Sequence, residues 1–384
     1  MITQKIILVA NTDWYLYNFR LALAHFLRSQ EFEVVLVSPP GRYALSLQQA
    51  GFRWIEWKVG RQSLAPWAEA AALLQLARLY RQEKPALVHH HTIKPVLYGS
   101  LAARLAHIPA VVNSITGRGY VFVGEDRKAR LLRRLAGPLY RLAFSFPNCA
   151  VIFENDIDRQ YFIRGGLLQA GRARLIEGVG VDIARFSPAP EPEGIPVVVL
   201  PARMLWDKGA GVLVEAARLL HAGTLPNERK LRVALVGVPD PGNPDSIGED
   251  TLRGWKAEGA VEWWGWQEDM STVYSRCHIV TLPTVYGEGV PTALLEAAAC
   301  GKPLVATDAP GCRDVVHHES NGLLVPPNDP AALAAALRRL VDDPDLRGRM
   351  GVASRQLVLE KFTTEQVNAA TLQVYRMILN NGIH

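Results

Sequence analysis

Short apolar runs alternate with amphipathic helical stretches along this chain, and the alternation stops once and then restarts. Runs at 5–10, 32–37, 86–90, 110–114 and 149–154 read as buried strands, with helices at 19–28 and 95–106 between them. Strands that are apolar on both sides and separated by helices belong in a parallel sheet covered on two faces. The pattern breaks at Phe186-Ser-Pro-Ala-Pro-Glu-Pro-Glu-Gly194, a Pro-rich acidic stretch. Beyond it strands at 197–200, 231–236, 260–263, 279–283 and 303–307 resume, with a helix at 210–220. A chain of 384 residues has material for two such domains. The expectation is therefore α/β: two Rossmann-like, doubly wound parallel-sheet domains, at 1–188 and 189–363. An amphipathic helix within 364–384 is long enough to pack back on the first domain.

Composition narrows the function classes. Hydrophobic residues at 49% and charged residues at 21% are globular values and exclude a disordered chain. The start reads as a first strand, since it lacks a basic segment and a small-residue cleavage site. No uncharged stretch reaches the roughly 18 residues of a membrane span. Cys149, Cys277, Cys300 and Cys312 form no CxxC pair and no metal-ligand spacing, and read as reduced thiols of a cytosolic protein.

The net charge of +5 conceals an asymmetry. Residues 1–190 carry 24 Lys/Arg and 13 Asp/Glu, whereas residues 191–384 carry 18 and 24. A basic first half favours an anionic partner. Its arginines are dispersed and no nucleic-acid motif accompanies them, so anionic lipid or a phosphate-bearing acceptor is expected and nucleic acid is not.

The densest chemistry lies at 282–307, Leu-Pro-Thr-Val-Tyr-Gly-Glu-Gly-Val-Pro-Thr-Ala-Leu-Leu-Glu-Ala-Ala-Ala-Cys-Gly-Lys-Pro-Leu-Val-Ala-Thr. A strand enters a Gly-flanked loop and a helix starts with Pro291 at its first position. Glu288 then sits at the helix mouth and Glu296 about two turns deeper. The backbone N–H groups of Gly289 and Val290 point to the same place, where an anion is favoured. Taken singly, Glu288 is an ordinary first-turn acid and Glu296 a paired core carboxylate. A second cluster, Leu200-Pro-Ala-Arg-Met-Leu-Trp-Asp-Lys-Gly-Ala210, puts Arg203 and Lys208 on one loop with Gly209 relieving the turn. Two fixed cations stabilise charge developing on a leaving diphosphate without a metal.

Glu288 and Glu296, preceded by Pro-Thr and followed by Gly-Lys-Pro-Leu-Val-Ala-Thr, resemble the Glu-x7-Glu hallmark of family-4 retaining glycosyltransferases of the GT-B fold. The resemblance implies two domains facing across a donor cleft and closing around the donor. It implies that Glu288 contacts hydroxyls of the donor sugar, that Glu296 holds the ribose, and that Arg203 and Lys208 receive the departing diphosphate. Gly237, after a strand, is similar to the glycine beside the phosphates, and Gly265-Trp266 to the segment holding the nucleotide base. Pro291, with Gly289 and Val290, completes the donor set. Gly178-Val-Gly-Val-Asp-Ile-Ala-Arg-Phe186 is similar to the family's hinge, with Val179 where the family has Asn.

The first domain departs from that family. Asn11-Thr-Asp-Trp-Tyr-Leu-Tyr-Asn-Phe-Arg20 replaces a Gly-Gly loop, offering Asp13 as a base or acceptor and Asn18 and Arg20 as acceptor partners, Arg20 for phosphate. His91, Lys94, Thr116 and Arg118 follow strands at the expected acceptor edge. Three adjacent histidines, 89 to 91, make a poor metal site because strand neighbours point to opposite faces. His91 reads either as a site residue or as a satisfied structural one, and Thr116 stands where the family often has histidine. His91-Thr-Ile-Lys-Pro with Thr116-Gly-Arg-Gly-Tyr-Val-Phe resembles bacterial undecaprenyl-diphosphate-linked glycan transferases. Arg127, Arg130, Arg134 and Arg141 line a helix beside Leu131, Leu135, Leu139 and Leu142, with Gly137-Pro138 expected to kink it. That helix reads either as a contact to the cytoplasmic face of the inner membrane or as a core helix.

The resemblance implies transfer of a hexose or N-acetylhexosamine from a nucleotide sugar, a UDP-sugar in preference to a GDP-sugar, to a lipid-diphosphate-linked saccharide, with neither cofactor nor metal. A soluble acceptor, or a non-transferring epimerase or sensor, is the alternative.

Overall fold

The computed structural model describes residues 4–60, 65–117, 127–222 and 231–381. The chain divides into two compact units, Met1–Val179 with Thr364–His384, and Gly180–Thr363.

Unit 1 is built on seven strands: β1 Lys5–Val9, β2 Glu33–Ser38, β3 Arg53–Glu56, β4 Leu87–His91, β5 Ala110–Ile115, β6 Cys149–Phe153 and β7 Ala173–Leu175. They pair in parallel in the order β3-β2-β1-β4-β5-β6-β7. The direction of winding reverses between β1 and β4, which makes the carboxyl ends of these strands the natural ligand edge. Alternate strand residues feed two cores. Ile7, Val9, Val35 and Val88 pack with Trp57, Tyr80 and Phe162 on one face. On the other, Ile6, Leu8 and Leu36 pack with Leu23, Leu27 and Tyr375. The last helix, Thr364–Asn381, thus belongs to unit 1 through Val367, Leu372, Tyr375 and Ile378.

The helix expected from residue 19 begins earlier. Thr12 caps Asp13–Tyr15 by accepting from Tyr15 N at 3.2 Å, a wide π turn follows at Leu16–Arg20, and Leu21–Ser29 continues. A second wide turn, Pro95–Gly99, opens the helix Ser100–Leu105. Gly99 is required there, because a Cβ would lie 2.4 Å from the His90 ring.

The helix Arg127–Phe144 runs through Pro138 without ending, so Gly137-Pro138 does not interrupt it. Tyr140, Ala143 and Phe144 face the core, while Leu139 and Leu142 are 41% and 45% exposed. Among the described residues no helix is long and apolar enough to cross a membrane.

Unit 2 repeats the plan with β8 Val197–Pro201, β9 Arg232–Val236, β10 Glu262–Gly265, β11 Ile279–Leu282, β12 Leu304–Thr307 and β13 Gly322–Val325. The order is β10-β9-β8-β11-β12-β13, all parallel, with the reversal between β8 and β11. The division between units falls at 179/180, ahead of the Pro-rich stretch. Val181 pairs with the backbone at Phe362 and Thr363, and Phe186 joins the core of unit 2. Glu191 is then tied to the buried Arg347.

Candidate active site

In unit 2 the loops leaving β8, β9, β11 and β12 converge at the reversal point. The chain leaves β8 through Arg203, makes a short turn at Trp206–Lys208, and enters the helix Ala210–His221 at Gly209. Gly209 has φ +77°, and a Cβ on it would sit 1.9 Å from the carbonyl oxygen of Pro283 on the β11 loop. Gly237, after β9, has φ +137° and would bring a Cβ within 1.9 Å of the Ala202 oxygen. These contacts leave room only for glycine, and they press the cation-bearing loop against its neighbours.

The β11 loop is fixed as firmly. Val285 N donates to Asp207 O at 2.8 Å, and the Thr284 hydroxyl reaches both Asp207 O at 3.0 Å and Glu288 Oε1 at 3.1 Å. Glu288 N donates to Pro310 O at 3.0 Å, which ties the Gly-flanked loop to the end of β12. Lys208 Nζ forms an ion pair with Glu288 Oε1, both side chains being four-fifths buried. Arg203 pairs with Asp240 and remains half exposed. Asp207 lies between these charges. Its carboxyl is raised above the ordinary range, first by burial and then by Asp245 and Glu288, against the lowering effect of Lys208.

Pro291 caps the helix Thr292–Ala299, one position ahead of the first-turn place expected for it, because its φ/ψ of −68°/115° is extended. Pro291 makes no side-chain cap to this helix, whose start, beside Gly289 and Val290, is a place where an anion is favoured. Val290 itself is buried. Glu296 lies one turn inside and accepts from the Tyr274 hydroxyl at 2.9 Å. Burial pushes its carboxyl up to about 7, opposed by that hydrogen bond and by Arg185. Gly237 N donates to Gly265 O at 2.8 Å and Trp263 Nε1 donates to Gly237 O at 2.8 Å, so the ends of β9 and β10 are bonded to each other. Trp266, just beyond, is 47% exposed, a flat apolar face available for stacking.

The residues expected of unit 1 fall into separate groups. Asp13 is buried and accepts from Trp14 N, Tyr43 N and Ala44 N at 2.8, 2.6 and 2.9 Å, so its carboxylate organises the loop after β2. Asn18 is exposed and donates to Trp14 O. Lys94 is bound to Glu69 and to the Gly60 carbonyl at 2.7 Å. Thr116 follows β5, half-buried, and Arg118 lies outside the described residues.

Arg20 and His91, by contrast, meet. The wide turn at Leu16–Arg20 drives Arg20 inward, where Nε donates to His91 Nδ1 at 3.1 Å and Nη2 to Tyr15 OH at 2.7 Å. Glu154, just past β6, approaches Arg20 at 3.7 Å, and burial pushes its carboxyl up to about 7. His89 and His91 share one face of β4, while His90 points to the other and bonds Tyr80 and Asn113. Among the described residues, no group of three or more His, Cys, Asp or Glu is placed to hold a metal ion.

Sequence reasoning missed Thr284, Tyr274, Asp207 and Glu154. Thr284 and Asp207 lie inside the quoted motifs, where their neighbours' spacing was the available signal. Tyr274 sits in a separate helix, Met270–Ser275, and nothing in the sequence joins it to Glu296.

Comparison with known proteins bears on the family and the fold. Residues 195–343 match the family described as "Glycosyl transferases group 1", and residues 5–155 match "Glycosyl transferase 4-like". The N,N'-diacetylbacillosaminyl-diphospho-undecaprenol alpha-1,3-N-acetylgalactosaminyltransferase of Campylobacter jejuni is 27% identical, over 95% of this chain and 96% of its own. The UDP-Gal:alpha-D-GlcNAc-diphosphoundecaprenol alpha-1,3-galactosyltransferase of Escherichia coli is 26% identical, over 71% and 70%. Among solved structures, a Rickettsia africae glycosyltransferase superposes with TM-score 0.78 at 18% identity, over 99% of this chain and 100% of that one. An Anabaena protein in complex with UDP and glucose gives 0.79 at 19%, over 97% and 99%. With both units matched in order, and with the fold of the GT-B enzymes, the chain belongs to the group 1, 4-like glycosyltransferases.

Proposed function

We propose that this glycosyltransferase moves a hexose or N-acetylhexosamine from a UDP-sugar to a hydroxyl of an undecaprenyl-diphosphate-linked saccharide, with retention and without a metal. The observation that carries the donor reading is the convergence of Arg203, Lys208 and Glu288 on the reversal point of the second sheet. Lys208 and Arg203 meet the charge that develops on the diphosphate as the glycosidic bond breaks. Arg203 exchanges Asp240 for phosphate, and Glu288, positioned by Thr284 and Lys208, accepts hydrogen bonds from the sugar. Glu296, held by Tyr274, takes the ribose hydroxyls, and the base stacks near Trp266. No side chain of these loops is placed as a separate nucleophile, so the leaving phosphate oxygen receives the acceptor proton on the face it departs from.

The acceptor reading rests on the two relatives, both named for undecaprenyl-diphosphate-linked acceptors. Peripheral contact with the cytoplasmic face of a membrane fits the exposed Leu139 and Leu142 beside the exposed Arg134 and Arg141. The test is a thermal-shift screen of UDP, GDP and their sugar conjugates, followed by transfer to a polyprenyl-diphosphate saccharide. A ligand at a hundredfold excess over Kd stabilises the folded state by roughly 2.7 kcal/mol. A shift with UDP that Arg203→Ala removes is the expected result; a shift with GDP alone would overturn the choice of nucleotide. Release of UDP without acceptor consumption would remove the transferase reading.

A further inference from the structure

Unit 1 holds polar side chains whose hydrogen-bonding capacity the protein leaves open. Arg20, His91 and Glu154 are 7%, 0% and 6% exposed. A guanidinium only donates, so the Arg20 Nε bond at 3.1 Å leaves His91 Nδ1 bare and puts the ring proton on Nε2. That Nε2 is buried and has no hydrogen-bond partner among the described residues. Glu154 Oε1 lies 3.7 Å from Arg20 Nη2, beyond hydrogen-bond reach, and likewise accepts no hydrogen bond. One guanidinium therefore holds an unused N–H donor and an unused carboxylate acceptor.

Their position is as telling as their chemistry. His91 ends β4, at the reversal point, and Glu154 follows β6, two strands further along the same carboxyl edge where ligands bind in such sheets. Thr92, next to His91, has φ +72°, a strained conformation for a β-branched residue, and a buried hydroxyl without a partner among the described residues. His89 is the internal contrast: it bonds Tyr375 OH at 2.6 Å and Ser114 Oγ at 2.7 Å, leaving nothing open.

We propose that His91 and Glu154, aligned by Arg20, form a specificity subsite that receives one hydroxyl group of the acceptor saccharide. The His91 Nε2–H donates to the hydroxyl oxygen, and the hydroxyl donates to Glu154. A hydroxyl supplies both roles at one atom. A phosphate only accepts, and would face the Glu154 carboxylate. The inference rests on the saccharide-acceptor reading above and adds a residue, Glu154, to it. A buried site built to bond a hydroxyl discriminates strongly against the analogue that lacks it, because its own polar groups are then left unpaired.

The experiment compares the full chain with Glu154→Ala and Glu154→Gln. The probes are a polyprenyl-diphosphate-linked N-acetylhexosamine and the set of its monodeoxy analogues. Wild type should lose at least about 10²-fold in kcat/KM on one analogue. Glu154→Ala should raise acceptor KM at least about tenfold and reduce that discrimination to about threefold or less, with Glu154→Gln recovering part of it through its carbonyl oxygen. The UDP thermal shift should persist in both variants, since the donor loops belong to unit 2. If the alanine variant loses that shift, the isosteric glutamine variant decides, by an intermediate or an unchanged selectivity. An active wild type whose monodeoxy preference is unaltered by either variant overturns the subsite and leaves the function standing. A wild type that binds UDP yet transfers to no saccharide acceptor overturns the acceptor reading and the subsite with it.

Discussion

Lys208 illustrates how much a single ion pair decides here. Its ammonium is four-fifths buried and bonded to Glu288, so its position is fixed before any diphosphate arrives. Positive charge placed in advance costs no reorganisation as the leaving group departs. Lys208→Ala should therefore lower kcat by about 10²–10³-fold while the melting temperature falls only slightly, because the pair still touches solvent. Near-normal turnover in steady-state assays would remove the clamp. Glu296 behaves differently. Its folded-state carboxyl is raised to about 7 from an ordinary 4.5, so the folded protein holds a proton that the unfolded chain releases. Its contribution to stability is fully present below 4.5 and is lost as pH rises through 7. Glu296→Gln should accordingly leave Tm unchanged near the acid end of that window and raise it by a few degrees above it. Melting curves across pH give the answer, and a pH-independent difference would contradict the buried-carboxylate account. The Glu-x7-Glu spacing made Glu288 and Glu296 legible in the sequence, because one continuous loop-and-helix segment carries both. Tyr274 and Glu154 were illegible because their roles come from strands and helices brought together only by the fold.

At the scale of elements, the parallel strands were readable because burial on both faces leaves an uninterrupted apolar run. Short edge strands such as β3, Arg53–Glu56, carry charged and half-buried residues and give no such run. The wide turn at Leu16–Arg20 was hidden for another reason. Its residues are aromatic, apolar and basic in no helical period, and its effect, turning Arg20 inward, depends on one extra residue in the turn. The loops of unit 2 are held by close backbone approaches, which makes their glycines a sensitive probe. Gly237→Ala combines a φ of +137° with a Cβ placed 1.9 Å from the Ala202 oxygen. We expect it to cost about 2–4 kcal/mol by strain and displacement, and to displace the loop bearing Arg203. Chemical denaturation should show the loss of stability, and UDP thermal shift the loss of donor binding. Retention of wild-type values in both would mean that the two loops separate without consequence.

Across the whole molecule, charge is divided as the fold is. Unit 1 carries a net charge of +11 and unit 2 a net −6. The helix Arg127–Phe144 concentrates that excess. Its inner residues, Tyr140, Ala143 and Phe144, are committed to the core, and its outer Leu139 and Leu142 are not. One face of this helix is thus committed to the core and another is exposed, and the membrane reading rests on the exposed face. Attraction of basic residues to an anionic bilayer is worth about 1 kcal/mol each and decays within a Debye length. Exposed leucines add an apolar contribution that salt does not screen. The full chain should therefore sediment with phosphatidylglycerol vesicles and not with phosphatidylcholine ones. Raising salt from about 0.1 M to about 1 M shortens the Debye length from roughly 10 Å to 3 Å and should release most of the protein. Leu139→Glu with Leu142→Glu should weaken binding at low salt while leaving Tm within a degree or two, since neither side chain supports the core. Equal sedimentation of this double variant and wild type would separate the charge from the helix and assign membrane contact to the basic surface of unit 1 at large.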